Sequence, residues 1–186
     1  HTVMRIKLTP PAEVFARKNS SLDGQQWFAQ TPPQDLGSDL YYRYTVINNT
    51  DDSLAKLSIL DVLPQKNDHD IVSQKDGTYK PRNWESMGVD GMPLRGEHSG
   101  LTTPLTQGLD TVPANAALQS ELGVSANDLF DYFYSLTPQG ADLASVRDVQ
   151  WLTSDEVAGR WNQVMSVKAV LKAGKVLPGN KTAYVV

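Results

Sequence analysis

The chain has 186 residues, 40% hydrophobic and 20% charged, with 17 basic and 21 acidic side chains for a net charge of −4. That composition argues against a disordered chain, and a pI near 5.3 argues against the basic face that nucleic-acid phosphates demand. The absence of cysteine removes disulfides, thiolate nucleophiles and Cys-type zinc, and no apolar run nears the roughly 18 residues of a membrane span.

The predicted elements are short, because glycine and proline punctuate the whole length. Met4, Ile6 and Leu8 alternate with Arg5 and Lys7 and predict an N-terminal strand, with the remainder of 1–39 as a linker. From Leu40 to Asn48, Leu40, Tyr42, Tyr44 and Val46 share one face, opposite Tyr41, Arg43, Thr45 and Ile47. Asn48 to Ser53 reads as a turn rich in Asn and Asp, and Leu57 to Leu63 as the next strand, stopped by Pro64. Residues 64–113 carry little periodicity and read as a loop-rich insertion. Ala114 to Leu122, with Pro113 before it and Gly123 after, predicts a short helix. Asp128 to Leu136 fits both periods, and its aromatic content favours a strand. Met165, Val167, Ala169 and Leu171 line one side of a last strand, with Ser166 and Lys168 opposite. The pattern predicts a single mainly β domain over 1–186, an antiparallel β-sandwich with one short helix and long loops.

Three segments carry a resemblance. Tyr42-Arg43-Tyr44-Thr45-Val46-Ile47-Asn48-Asn49 followed by Leu60-Asp61-Val62-Leu63-Pro64 resembles a hairpin of pilin-like and adhesin modules. Arg95-Gly96 with Leu101-Thr102-Thr103-Pro104-Leu105 is similar to a stretch found further along such modules. Trp161, the strand Val164–Leu171 and Leu177-Pro178-Gly179-Asn180 are similar to their ending. Together they resemble the repeat domains of Gram-positive, LPXTG-type wall-anchored surface adhesins. The resemblance implies a secreted Ig-like or pilin-like β-sandwich held at the cell wall through regions outside this sequence. It implies a non-catalytic module of cell adhesion, working beside neighbouring domains of the same surface protein. Such a module binds a host extracellular protein or a glycan, or serves as a stalk spacer, with no nucleic acid and no membrane insertion. The sorting motif itself is not matched here, since Leu177-Pro178-Gly179-Asn180-Lys181 has Asn where Thr belongs. The competing class is a carbohydrate-active enzyme domain.

Candidate chemistry is sparse, and composition and spacing single out no catalytic, ligand-binding or metal residue and no cofactor. Pilin-like modules often carry a Lys–Asn isopeptide bond, and Lys7 and Asn180 have the right order for one, with Asp61 or Glu13 as the acid. That reaction needs a dry core that neutralises the lysine and raises the carboxyl pKa, whereas a solvated lysine and a turn asparagine are the ordinary reading. Asp68-His69-Asp70 with Asp76-Gly77 gathers hard oxygen ligands without the spacing of an EF-hand. His69 and His98 lie in loops, and neither Gly-x-Ser-x-Gly nor His-Glu-x-x-His occurs. The sequons at Asn19, Asn48 and Asn180 read as turn chemistry. Among Trp27, Trp84, Trp151 and Trp161, Trp84 is the one expected to be exposed and Trp151 to be core.

Overall fold

The computed structural model describes residues 13–29, 39–63, 104–113, 123–138 and 148–186. Within them the chain is mainly β, with two three-stranded antiparallel sheets and a few single helical turns. It divides into two compact units, the first drawn from the described parts of His1–Leu57, Pro113–Phe130 and Leu171–Val186, the second from those of Ser58–Val112 and Asp131–Val170.

The first unit holds β1 (Val14–Ser21), β2 (Tyr41–Asn48) and β6 (Lys181–Val185), in the order β1-β2-β6. The register runs from Val14 opposite Asn48 to Ser21 opposite Tyr41, and from Tyr44 opposite Val185 to Asn48 opposite Lys181. Period-two alternation then sorts the side chains. Val46, Ala183 and Val185, each about 1% exposed, lie on the buried face with Asn48. One helical turn, α1 (Ala126–Leu129), belongs to this unit. Its capping box joins Ser125 and Asp128: the Ser125 hydroxyl accepts from the Asp128 N–H at 3.2 Å and the Asp128 carboxylate accepts from the Ser125 N–H at 3.3 Å. The Lys172 ammonium donates to the Asn127 carbonyl at 2.6 Å, placing a cation on the closing turn.

A knot of backbone and amide groups follows β2. Asn48 is fully buried; its Nδ2 donates to the carbonyls of Asp52 (2.8 Å), Leu177 (3.1 Å) and Pro178 (3.1 Å), while its Oδ1 accepts from the Thr50 N–H and hydroxyl. Leu54 and Leu177 exchange a reciprocal pair of backbone hydrogen bonds at 2.9 Å. The turn after β2 is thereby tied to the segment before β6. This corrects the expected hairpin: the strands on either side of Asn48–Ser53 do not pair. Both edges of β2 are taken by β1 and β6, and the following strand, β3 (Ser58–Val62), pairs with β5 (Ser166–Leu171) instead.

The second unit holds most of the sheet β3-β5-β4, formed by β3, β4 (Phe130–Ser135) and β5 (Ser166–Leu171). β3 runs antiparallel to β5, from Ser58 opposite Val170 to Val62 opposite Ser166. Tyr132 and Tyr134 lie buried along β4, with Val167 and Ala169 buried along β5. The predicted strand at 128–136 is thus observed in its aromatic part, but Asp128 is drawn into α1 by the Ser125 cap. The predicted strand at 4–8 and the helix at 114–122 lie outside the described residues, as do residues 64–103 of the expected loop insertion. Among the described residues no helix is long and apolar enough to cross a membrane.

Tyr134, with no solvent exposure, anchors the loop that enters this unit from residue 104. Its hydroxyl accepts from the Leu109 N–H at 2.8 Å and approaches Asp110 Oδ1 at 3.4 Å, and that carboxylate also accepts from the Ser154 hydroxyl at 2.8 Å. Ser154 opens the helical turn α2 (Ser154–Val157), and Trp161 meets Tyr134 edge-on with ring centroids 5.1 Å apart. Gly108 is required there because a Cβ would stand 2.9 Å from the Trp161 ring.

Burial pushes the Tyr134 phenol up to about 12 from its ordinary 10.0, and raises Tyr132 further. In the unfolded chain both ionise near 10, so above that pH the folded state holds more protons and stability falls as pH rises. The protein is therefore expected to keep constant stability up to about pH 10 with respect to these two groups, and then to lose it as pH rises, across the interval to about 12 for Tyr134 and beyond it for Tyr132. Tyrosinate absorbance followed together with far-ultraviolet circular dichroism checks this. Two of the seven tyrosines should ionise only as the sheet signal is lost.

Candidate functional site

The face of the first sheet opposite Val46 is built by the alternate residues of each strand. β1 contributes Phe15, Arg17, Asn19 and Ser21; β2 contributes Tyr41, Arg43, Thr45 and Ile47; β6 contributes Thr182 and Tyr184. Asn19 is directly opposite Arg43, Arg17 opposite Thr45, and Thr45 opposite Tyr184, so Arg17 and Tyr184 are diagonal neighbours of Arg43. Trp27 reaches the same place because the chain turns back after β1. Asp23 Oδ1 accepts from the N–H groups of Gln25 and Gln26 at 2.8 Å, Gly24 takes a left-handed conformation, and Phe28 bridges to Ser20 through two backbone hydrogen bonds.

The Arg43 guanidinium lies over both rings, 4.5 Å from the Trp27 centroid and 5.4 Å from that of Tyr184. Its Nε is buried and without a hydrogen-bond partner. Burial lowers the Arg43 pKa, partly offset by Tyr184. Arg43 and Tyr184 are half-buried, as is Trp27, while Tyr41 is 37% exposed and Arg17 exposed. Two arginines and no carboxylate stand among the strand residues of this face. Such an arrangement can hold an anion by charge and a ring by stacking; it offers no nucleophile–base pair.

Two further cations sit over aromatic pairs. Lys18, on the other face of β1, lies 4.0 Å from the Tyr42 ring and 5.5 Å from Tyr44. In the second unit Lys168 lies 4.2 Å from the Trp151 ring and 5.2 Å from Phe133, and burial lowers its pKa. Trp151, expected in the core, is half-buried, with its ring against the ammonium of Lys168, which stands on the face of β5 opposite Val167 and Ala169. Trp161 is half-buried against Tyr134, and Trp84 lies outside the described residues.

The other predicted positions are placed as follows. Asn180 is exposed in a left-handed conformation, φ 55°, and its Nδ2 donates to Asp51 Oδ1 at 3.0 Å. A dry core of the kind the isopeptide reaction needs is not present around Asn180, and Glu13 is also exposed; Lys7 lies outside the described residues, and Asp61 is half-buried on β3. The carboxylates of the described residues whose pKa is displaced all move down. Asp23 is held by the Gln26 and Gln25 N–H groups, Asp128 by the Ser125 hydroxyl and N–H, and Glu156 by the Thr153 N–H and hydroxyl. Asp68, His69, Asp70, Asp76 and His98 lie outside the described residues, and no metal-binding group of His, Asp and Glu occurs among those described. Of the sequons, Asn180 is a turn residue as expected, whereas Asn48 is the last residue of β2 and serves the turn after it only through its side chain, which accepts from the Thr50 N–H. Asn19 instead sits within β1, placed there by the pairing of that strand with β2.

The sequence shows Trp27 as one of four tryptophans but does not bring it to Arg43. The available signal was the alternation of Tyr41, Arg43, Thr45 and Ile47, a face with a cation between aromatic and β-branched residues. Comparison with known proteins adds no further constraint: the chain matches no family model, no curated protein and no solved structure.

Proposed function

We propose that this chain is a non-catalytic, extracellular binding module of a Gram-positive cell-surface adhesin, folded as an Ig-like or pilin-like β-sandwich. The observation that carries the reading is the half-exposed Trp27–Arg43–Tyr184 cluster on one face of an antiparallel sheet. Strands β2 and β6 fix Arg43 and Tyr184, and the hydrogen-bonded turn between Asp23 and Phe28 fixes Trp27, so a ligand meets a preorganised platform. The mainly β fold and the ordered succession of the segments at 42–64, 95–105 and 161–180 support the adhesin resemblance. The Asn48 knot supports it as well, since it ties two of those segments together. The module carries its partner, a host extracellular protein or a glycan, on this rigid scaffold, outside the cell and attached to the wall through other regions.

The test pairs a glycan array and immobilised extracellular-matrix proteins with a reducing-end assay on complex polysaccharides. Binding without release of reducing ends is the expected result. Turnover would overturn the reading in favour of a carbohydrate-active enzyme. Absence of any ligand, with elongated particles in solution scattering, would overturn it in favour of a spacer.

A further inference from the structure

We infer that the half-exposed face of the first sheet is a binding site for an acidic saccharide whose carboxylate pairs with Arg43. The inference rests on the reading of the chain as a binding module and names its ligand class and contact residues. Its starting point is charge. The chain as a whole is acidic, at −4, yet the strand residues of this face include Arg17 and Arg43 and no acid. The Asp23 carboxylate, bonded to Ser21 at the edge of the face, offsets one of the two charges, and the remaining local excess on a molecule of the opposite sign marks what the face attracts.

Arg43 is the centre of that excess. Its guanidinium contacts two rings, its Nε is buried without an acceptor, and no carboxylate among the described residues pairs with it. A partly desolvated cation is costly until an anion and its hydrogen bonds compensate it. The planar fork of an arginine matches a carboxylate in bidentate fashion, and stacking against Trp27 and Tyr184 restricts the fork before the ligand arrives. On the same face stand Asn19, directly across on β1, Tyr184 on β6, and Tyr41 two residues earlier on β2. Aromatic faces suit the C–H surface of a sugar ring, and amide and phenol groups suit its hydroxyl rim. That combination favours a carboxylated sugar over an acidic peptide. Arg17, exposed and diagonal to Arg43, adds longer-range attraction.

The experiment is calorimetric titration of the full chain with a hyaluronan hexasaccharide, its carboxyl-reduced counterpart, sialyllactose and poly-glutamate. At least one of the two carboxylated saccharides should bind, and for hyaluronan the reduced form should be weaker by about tenfold or more, the loss of one charge-assisted pair. Arg43→Gln, which keeps a planar polar group against the rings, and Arg43→Lys, which keeps the charge, should each weaken binding by about tenfold. Arg17→Ala should weaken it two- to threefold, a difference that added salt erases, as befits an exposed charge. Thermal melting of the Arg43 variants shows that they are folded. Equal binding of the reduced sugar, equal binding by Arg43→Gln, equal or tighter binding of poly-glutamate, or no binding of either carboxylated saccharide would each overturn the assignment. A neutral glycan or a matrix protein bound equally by wild type and Arg43→Gln would overturn it too while leaving the binding-module reading intact. Saccharide hydrolysis would instead overturn that reading.

Discussion

Replacing Asn48 with alanine is expected to cost about 3 kcal/mol of stability, because one side chain serves five hydrogen bonds in a site with no solvent exposure. Leu177 keeps a second donor, the Leu54 N–H, so the heaviest penalty falls on the Pro178 carbonyl and on the void left by the amide. For a chain of this length that loss lowers Tm by roughly 10 °C. Aspartate is no substitute. It can accept from Thr50, but its second oxygen would face three carbonyl oxygens in place of an amino group. Urea unfolding of Asn48→Ala, beside Thr50→Val as a milder comparator at about 1 kcal/mol, measures the effect. A loss below that of Thr50→Val would mean that water replaces the amide and that the knot is not held by it. The same burial bears on modification, since a nitrogen engaged with three carbonyls in a closed site cannot receive a glycan.

Gly179→Ala is expected to be about as damaging, again near 3 kcal/mol, for a steric reason. A Cβ at this position would fall on the Asp51 carbonyl group and lie 2.6 Å from the Thr50 oxygen. The conformation is not what demands glycine; the closeness of two backbone segments is. Moving apart is costly, because the Asn180 N–H donates to the Thr50 carbonyl at 3.0 Å and the Asn180 amide to Asp51 at 3.0 Å. Asn48 and Gly179 hold the same junction, so the double variant should lose clearly less than the two single losses summed. Thermal or denaturant unfolding of the three variants checks this; strict additivity would show that the two contacts are independent.

The strands with a self-consistent pattern were legible in the sequence. Tyr41–Asn48 alternates aromatic and β-branched residues, and Val46 proves buried on the predicted face. Ser166–Leu171 does the same through Val167, Ala169 and Leu171. Val14–Ser21 was not legible, since Ala16-Arg17-Lys18-Asn19-Ser20-Ser21 carries no apolar alternation; an edge strand with few buried side chains needs only a partner's backbone. Partner choice was equally hidden. Local chemistry predicted a turn after Asn48 and the resemblance implied a hairpin, whereas the amide of Asn48 also donates to residues 177 and 178, far along the chain. The capping box at Ser125 was obscured because Asp128 takes the position more often held by glutamate. As for the site, Arg43 and Tyr41 could be put on one face from β2 alone. Adding Arg17, Asn19 and Tyr184 required the registers with β1 and β6, which no local pattern encodes.

The union of residues 44–48 with 181–185 governs how this polypeptide can be made. No nascent piece ending before residue 181 contains a finished first sheet, so β2 must wait with one backbone edge open while more than a hundred residues emerge behind it. An open edge is a template for any strand nearby, including one on a sibling chain. Dilute refolding should therefore raise the yield of correctly joined molecules, and truncation at the carboxyl side should send them into aggregates.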